Sequence, residues 1–495
     1  MKKIFIILFL FCALNSSFGQ QSDSTWNVYQ KQLDKQYNAY IQQLDIEYIS
    51  HLSKLNEEYA NYMRKSWEEY TAITGISLPK EKMPPIILEK EDRRNQIIDK
   101  IPIEIVPIPT PQPQPQPIAP IKENDVPSNM TEVLFYNTPI MVRKPVNISF
   151  SISQLNNNSL ADAWKQLSNG DYNNLVYDCI STRDNYALSD WAYLTFLQIL
   201  SEQLFGKSNE AVFLQAYIYA QSGYSMRLAY GKNHLYLLFE SLYYIYEQTY
   251  FDINNKTFYP LNCKEENLFI CDAKFNGEQA LTLQISQEQK LQYNTSGQKE
   301  HTSRYGMTLK CSINENTLNF YNTYPVGQIG DDFGTCWATY ANVPIDKNIR
   351  ESLYPQIQQQ IEGLSEEESA NKILDWIQTG FEYQYDDSIW GYDRAFFPAE
   401  TLYYPYCDCE DRSILFSRII RDVLGLNVVL LYFPGHLATA VNFKSNVEGD
   451  YLIVNGEKYI ICDPTCSICE QPHIGAPVGM SCVNDETAKV IILNN

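Results

Sequence analysis

The sequence predicts a protein of several domains, with a long N-terminal α-helix, a mixed α+β region, and a C-terminal region in which a helix precedes an antiparallel sheet. Its 495 residues are more than one ordinary hydrophobic core contains. Near the N-terminus large residues recur every eleven positions, whereas near the C-terminus segments of period two follow a helical segment. A proline-rich segment separates the N-terminal helix from the rest.

The first nineteen residues have the composition of an export signal. Two lysines precede an apolar run at positions 4–14, and Ser17-Phe18-Gly19 resembles a cleavage site. We therefore expect a signal peptide at 1–19 and a protein that is exported, to the periplasm or outside the cell. The apolar run is shorter than the ~20 residues that a membrane span needs. We expect no transmembrane span.

Residues 20–78 are predicted to form one long helix. Eleven residues make three helical turns, so an eleven-residue (hendecad) repeat keeps its stripe of large side chains nearly straight. The stripe consists of Trp26, Tyr37, Tyr48, Tyr59 and Tyr70, of Tyr29, Tyr40 and Tyr62, and of Leu33, Leu44 and Leu55. Gly75 is the predicted stop. Because such a stripe must be buried, the helix either self-associates as a coiled coil or lies along the globular part.

Residues 79–128 are predicted to be a linker, because eight prolines between Ile101 and Ile121 favour a polyproline-type spacer. Residues 129–345 alternate between strand-like and helical periodicity, which predicts an α+β domain. A strand is predicted from Thr317 to Tyr321. The domain shows no catalytic cluster, and its His234 and His301 are expected in loops or at the surface.

Charge and cysteine content restrict the partners and the compartment. The formal net charge of −21 opposes binding to a phosphate backbone, so nucleic acid is excluded as a partner. Twelve cysteines in an exported chain predict disulfides. Because Cys12 would leave with the signal peptide, an odd number remains, which allows up to five bridges and one free thiol.

Residues 346–495 are predicted to form the C-terminal domain. One helix is expected from Glu366 to Gly380, and another begins near Cys409 and stops at Gly425. Four strands follow, at 428–433, 437–443, 451–454 and 459–462, and Asn455-Gly456 is a strong hairpin turn. Cys409 then lies at a helix N-terminus, where the helix dipole favours a thiolate.

Two further residues are predicted to face this helix start. His436 begins the second strand, and Asp463 ends the fourth. A thiol becomes a nucleophile as a thiolate, so it needs a base beside it and a carboxylate that orients the base. The sequence supplies all three side chains within one short segment.

This pattern resembles the transglutaminase-like cysteine superfamily over residues 365–482. The resemblance rests on Cys-x-x-x-Ser-x-Leu from Cys409, on Gly-His at His436, and on Asp-Pro-Thr at Asp463. It implies a nucleophile at Cys409, a general base and then acid at His436, and an orienting carboxylate at Asp463. Gln378 is the candidate side-chain donor to the oxyanion, beside the Cys409 N–H. Cys407 stands where the family has glycine, and its thiol could mask the nucleophile.

The predicted function is hydrolysis of a peptide or related amide through an acyl-enzyme, as in cysteine proteases, with a protein or peptide substrate and no cofactor or metal. If an amine replaces water, the same intermediate gives protein-glutamine acyl transfer and cross-linking. The alternative of another class is a non-catalytic surface or assembly scaffold in which the N-terminal helix carries the function.

Two rival sites are weaker. Gly334-Thr335-Cys336-Trp337-Ala338, with Gln328 upstream, resembles the signature of papain-type proteases, but Pro344 follows too soon for the long helix which that signature opens. We therefore expect Cys336 in a disulfide. A zinc site is conceivable where soft ligands are closely spaced, but disulfides are the prediction there too. Those ligands are Cys462, Cys466, Cys469, His473 and Cys482.

Overall fold

The computed structural model describes residues 23–65, 67–78, 87–88, 103–106, 112–148, 150–261, 263–295, 297–465, 467–468, 471–480 and 488–494. The predicted signal peptide at 1–19 lies outside these ranges. The chain divides into two compact units between Glu58 and Tyr59. Within the described ranges, no helix is both long enough and apolar enough to cross a membrane.

The first unit contains most of helix α1 (Asp23–Met63). The prediction of a long N-terminal helix is confirmed, and Tyr37, from its predicted stripe, is 63% exposed. The predicted stop at Gly75 is wrong. The helix ends at Met63, where the indole N–H of Trp67 donates to the Met63 carbonyl (2.6 Å) and satisfies one free carbonyl of the last turn.

The second unit starts with the last residues of α1 and continues into an α+β region. Its strands are β1 (Trp67–Thr71), β2 (Ile87–Leu88), β3 (Ile103–Val106), β4 (Ser128–Phe135), β5 (Thr138–Pro145), β6 (Met226–Tyr230), β7 (Leu235–Glu240), β8 (Tyr244–Ile245), β9 (Phe251–Ile253), β10 (Lys256–Pro260), β11 (Asn267–Cys271), β12 (Gln298–Thr302), β13 (Thr308–Ser312) and β14 (Gly327–Gln328). Its helices are α2 (Asn157–Leu167), α3 (Asn173–Asn185), α4 (Asp190–Phe205), α5 (Asn209–Gln221), α6 (Glu315–Tyr321) and α7 (Gly334–Ala341).

One antiparallel sheet of this region has the strand order β1-β11-β6-β7-β10-β9. The sequence predicts a helix up to Gly75, but Trp67–Thr71 instead forms the edge strand of this sheet by pairing with β11. The predicted strand at 317–321 is also wrong. These residues belong to α6, because the side chain of Asn314 accepts from the Asn316 N–H and starts a helix there.

The remaining elements form the C-terminal part of the second unit. The helices are α8 (Lys347–Ile361), α9 (Glu366–Gly380), α10 (Asp386–Ile389), α11 (Pro398–Tyr403) and α12 (Cys409–Ile419). The strands are β15 (Glu382–Tyr383), β16 (Tyr406–Cys407), β17 (Asn427–Phe433), β18 (His436–Asn442), β19 (Tyr451–Val454), β20 (Glu457–Cys462), β21 (Ser467–Ile468), β22 (Gln471–Gly475) and β23 (Ala488–Ile492).

The sheet that supports the candidate site has the order β19-β20-β18-β17-β23-β3. Helix α12 packs on β18 and β17, and it continues as a π-helical turn (Ile420–Leu424) that ends at Gly425, where φ is 63°. A helix followed by antiparallel strands, as predicted, is confirmed. Positive φ at Asn455 (52°) and Gly456 (86°) joins β19 to β20 and fits a tight hairpin turn.

Parts of the proline-rich segment contact the globular unit. Strand β3 pairs in parallel with β23 at the edge of the C-terminal sheet. Further along, the Arg183 guanidinium donates to the Pro115 carbonyl (3.0 Å), and the Asn124 N–H donates to the Asn174 side chain (2.9 Å). At 103–106, Pro115 and Asn124 the segment is therefore not the free spacer that its composition predicts, because its backbone is paired with a strand or hydrogen-bonded to side chains of the globular unit.

The described cysteines form no disulfides, so the predicted bridges are wrong for this part of the chain. Cys336, expected in a disulfide, is a buried thiol of α7 and packs as a small apolar side chain. Among the described residues, the free thiols are those of Cys179, Cys263, Cys271, Cys311, Cys336, Cys407, Cys409 and Cys462.

Candidate active site

Cys409 is the first residue of α12, as the sequence predicts. The Asp411 carboxylate fixes this start by accepting from the Asp408 N–H (3.2 Å), which is one half of a capping box. The other Asp411 oxygen accepts from the Phe396 N–H (2.7 Å). The helix start is therefore tied to the preceding aromatic-rich segment at 381–406, which we call the aromatic loop.

His436 and Asp463 meet at one end of the sheet. His436 is the first residue of β18, and Asp463 follows β20, the strand that pairs antiparallel with β18. The Nε2 atom of His436 lies 2.8 Å from Oδ2 of Asp463, and both side chains are buried. Burial lowers the pKa of His436, but the charges of Asp463 and Glu410 outweigh it, and the net pKa is raised.

The nucleophile helix is joined directly to the histidine strand. The backbone of Leu437, next to His436, acts to lower the pKa of the Cys409 thiol. The Ser413 hydroxyl of α12 donates to the Leu437 carbonyl (2.8 Å). The predicted positions of Cys409, His436 and Asp463 thus converge on one corner of the fold.

The charge around the thiol differs from the prediction. The Cys409 Sγ donates to Oε2 of Glu410 (3.1 Å). Burial, followed by the charges of Glu410 and Asp408, raises the pKa of Cys409 well above its ordinary value. The helix dipole is predicted to lower this pKa, but its field is outweighed because two carboxylates flank the thiol in the same helix turn.

Gln378 hydrogen-bonds to backbone carbonyls next to the site. Its amide nitrogen donates to the carbonyl of Asp463 (2.7 Å) and to the carbonyl of Ala476 (2.9 Å). Because both amide hydrogens are engaged, Gln378 is not placed as a free oxyanion donor. It instead holds the turn that carries the Asp463 carboxylate.

Arg412 is a site residue that the sequence reasoning missed. It is buried, and its guanidinium donates to the carbonyls of Gln378 (3.2 Å) and Phe381 (2.8 Å). Its Nε also donates to the Cys407 sulfur (3.3 Å). Cys407 is therefore held by Arg412 and forms no bridge to Cys409, and burial raises its pKa to about 11. The sequence does carry a signal for Arg412, because an arginine within the apolar face of a predicted helix must be buried with hydrogen-bond partners.

A group of three acidic side chains was also missed. One oxygen each of Asp386, Asp408 and Glu410 lies within 4.8 Å of the others. Burial and the charge of Glu410 raise the pKa of Asp386 to about 8. Asp386 belongs to the aromatic loop, far from the Cys409 motif in sequence, so only folding brings it there.

The rival sites gain little support. Helix α7 is short, burial raises the pKa of Cys336 to about 12, and the Gln328 side chain is engaged with Tyr246 and Gly330. Of the possible zinc ligands, Cys462 is the last residue of β20 and is buried. Cys466, Cys469, Cys482 and the His473 side chain lie outside what the structure describes.

Outside the site, His234 is exposed in a turn, as predicted. His301 contradicts its prediction. It is buried, its Nε2 lies 2.9 Å from the Leu402 carbonyl, and its ring stacks on Phe381. It therefore contributes to the packing behind the aromatic loop.

Comparisons with protein-family models, with characterised proteins and with solved structures find no match to this chain. The functional interpretation therefore rests on the geometry of the site itself.

Proposed function

We propose that the chain is an exported, transglutaminase-like thiol enzyme that hydrolyses peptide or related amide bonds through an acyl-enzyme. The observation that carries this proposal is the buried pair of His436 and Asp463 (2.8 Å) beside the helix start that holds Cys409. A carboxylate-oriented imidazole next to a thiol is the arrangement that activates a nucleophile.

The reaction follows from this arrangement. His436 takes the thiol proton on Nδ1, because Nε2 is held by Asp463, and the Cys409 sulfur bonds to the substrate carbonyl carbon. The Cys409 N–H at the helix start stabilises the oxyanion. His436 then gives its proton to the leaving amine as the C–N bond breaks. Water attacks the thioester, His436 accepts the water proton, and the C–S bond breaks to release the acid and restore the thiol.

The raised pKa of the Cys409 thiol bears on whether the thiol loses its proton before the sulfur attacks or during the attack. A thiol with a pKa well above its ordinary value stays protonated at neutral pH, so proton transfer to His436 must accompany attack. Asp463 supports this transfer, since its negative charge stabilises the imidazolium.

The proposal is tested by incubating the mature protein with a peptide library, with and without an added primary amine. Hydrolysed peptides are expected, and Cys409→Ala should abolish them. Cys407→Ser is the matched control, because this thiol is two residues away and is held by Arg412; it should retain turnover. Amine adducts alone would identify an acyltransferase instead.

The second candidate is the non-catalytic scaffold. The acidic surroundings of Cys409 favour it, because they disfavour a thiolate. If turnover is absent and iodoacetamide labels Cys409 equally slowly in the wild type and in His436→Ala, this scaffold role replaces the enzyme proposal.

A further inference from the structure

The stripe of large side chains on α1 is packed at its C-terminal end. Tyr59 is buried, and its ring stacks on those of Trp164 and Phe275, with ring centroids 4.3 and 4.5 Å away. Met63, one helical turn further on the same face, is also fully buried. All four residues belong to the second unit. In this repeat, large apolar and aromatic side chains therefore cover the face of the helix that carries the stripe.

The same stripe is exposed along the first unit. Tyr29, Tyr37 and Tyr40 are 50%, 63% and 54% exposed, and Leu44 is 37% exposed. Tyr37 lies two repeats of eleven residues before Tyr59, which is six helical turns, so both side chains are on one side of the helix. A position that is buried in the last repeat is therefore uncovered in an earlier one.

The part of the stripe that precedes Tyr59 is long and carries no charged residue. We call it the outer stripe, and its described members are Tyr29, Leu33, Tyr37, Tyr40, Leu44, Tyr48 and Leu55. At 1.5 Å per residue it extends over about 40 Å of helix. Most of the stability of a helix in a protein comes from packing of its apolar face. Exposed side-chain pairs such as Lys54 with Glu58 (3.9 Å) contribute little.

We propose that the outer stripe packs against the outer stripe of a second copy of this chain, as a right-handed coiled coil. An eleven-residue repeat keeps its seam on the partner when the two helices wind right-handedly around each other. A helix with the common seven-residue repeat winds the other way, so its seam rotates away from the outer stripe. A second copy necessarily has the same repeat, and pairing of identical surfaces is the commonest form of association.

The area of the outer stripe agrees with this partner. A fully covered tyrosine buries about 150–250 Å². Because Tyr29, Tyr37 and Tyr40 are each at least half exposed, the three together offer roughly 300 Å². A stable interface buries about 800 Å² on each partner. The remaining residues of the outer stripe must supply the difference, so a charge in the middle of the stripe should break the pair.

The test is sedimentation velocity of the mature protein over the micromolar range, with two variants in the same repeat. Leu44 lies on the outer stripe, whereas Ile46, which is 68% exposed, lies on the opposite side of the helix. The wild type should have a mass of at least two chains. Leu44→Glu should weaken association at least tenfold, because each copy loses an apolar contact and a carboxylate enters the interface.

Ile46→Glu is the matched control. It exchanges an isomeric side chain for the same carboxylate two residues away, and it should leave the dissociation constant unchanged. Glutamate is a good helix former, so circular dichroism should show both variants folded.

A second measurement identifies what covers the outer stripe and keeps a large aromatic side chain in place. The photoreactive residue p-benzoylphenylalanine is introduced at Tyr37 or, as the control, at Ile46. Irradiation of the purified protein should join two copies from position 37, to a peptide within residues 29–55, and should join none from position 46.

Three results would overturn the proposal. The first is a protein that stays monomeric throughout the concentration range, and the second is association that Leu44→Glu leaves unchanged. The third is a monomer that binds vesicles of phosphatidylcholine and phosphatidylglycerol through the outer stripe, since a lipid surface would then be its partner. The inference does not depend on the chemistry at Cys409, so none of these results bears on amide hydrolysis.

Discussion

At the scale of single residues, the reactivity of Cys409 depends on its neighbours in the same helix turn. The helix N-terminus attracts negative charge, but Asp408 and Glu410 repel it at shorter range. The raised pKa of the thiol reports this balance together with burial. In this site the helix start positions the sulfur, and the surrounding charges determine when it ionises.

Replacement of Glu410 by Gln is expected to lower the Cys409 pKa, because it removes a negative charge 3.1 Å from the sulfur. At neutral pH the thiolate fraction then rises, and labelling by neutral iodoacetamide should accelerate about 3- to 10-fold, since one pKa unit is a factor of ten. The measurement is the labelling rate of the Cys409 peptide between pH 6 and 10. Glu382→Gln is the control, and an unchanged pH profile in Glu410→Gln would contradict the charge assignment.

At the scale of elements, the position of α12 on β18 brings the nucleophile to the histidine. Two buried serines of this helix make different hydrogen bonds. Ser413 donates across to the Leu437 carbonyl of β18 (2.8 Å), whereas Ser417 donates within its own helix to Ile414 (2.8 Å). The first bond therefore joins two elements, and the second does not.

Ser413→Ala should destabilise the protein by about 1–3 kcal/mol, because it leaves the buried Leu437 carbonyl without this donor. Ser417→Ala should cost less, since the Ile414 carbonyl belongs to the helix and keeps its backbone environment. Urea denaturation of the two variants measures the difference. Equal losses would show that the contact between helix and strand does not depend on the Ser413 bond.

At the scale of the whole molecule, buried carboxyl groups make stability depend on pH. Burial raises the pKa of Asp346 and of Glu400 to about 7, and that of Asp386 to about 8. In the unfolded chain these groups ionise near their ordinary values of 3.8 to 4.5. Between the two sets of values the folded protein holds more protons than the unfolded chain, so stability falls as pH rises.

The melting temperature is therefore expected to fall between pH 5.5 and 9, with most of the loss complete once pH passes about 8. Asp346→Asn should flatten this dependence and stabilise the protein at pH 9 by on the order of 1–3 kcal/mol, because the amide cannot ionise and no charge is then buried at this position. Calorimetry across this pH range measures it. A melting temperature that rises with pH would contradict the assignment.

Local patterns account for the elements that were predicted correctly. The apolar spacing and the Ser365 cap define α9, which runs from Glu366 to Gly380 as predicted. The Asn455-Gly456 turn defines the hairpin of β19 and β20. Such signals act over a few residues, so they can be read without knowledge of the rest of the chain.

The sequence alone determined the long N-terminal helix, the order of helix and strands in the C-terminal part, and the candidate trio of Cys409, His436 and Asp463. Only the tertiary structure decided that Ile103–Val106 pairs with β23, that Gln378 supports the Asp463 turn, and that Asp386 joins the carboxylates beside the thiol. These features depend on contacts between residues distant in the chain, and both burial and charge at a site are sums over such contacts. Periodicity and capping are local signals, so the sequence predicts that the thiol lies at a helix start. It does not predict the burial and the neighbouring charges that determine the pKa of this thiol.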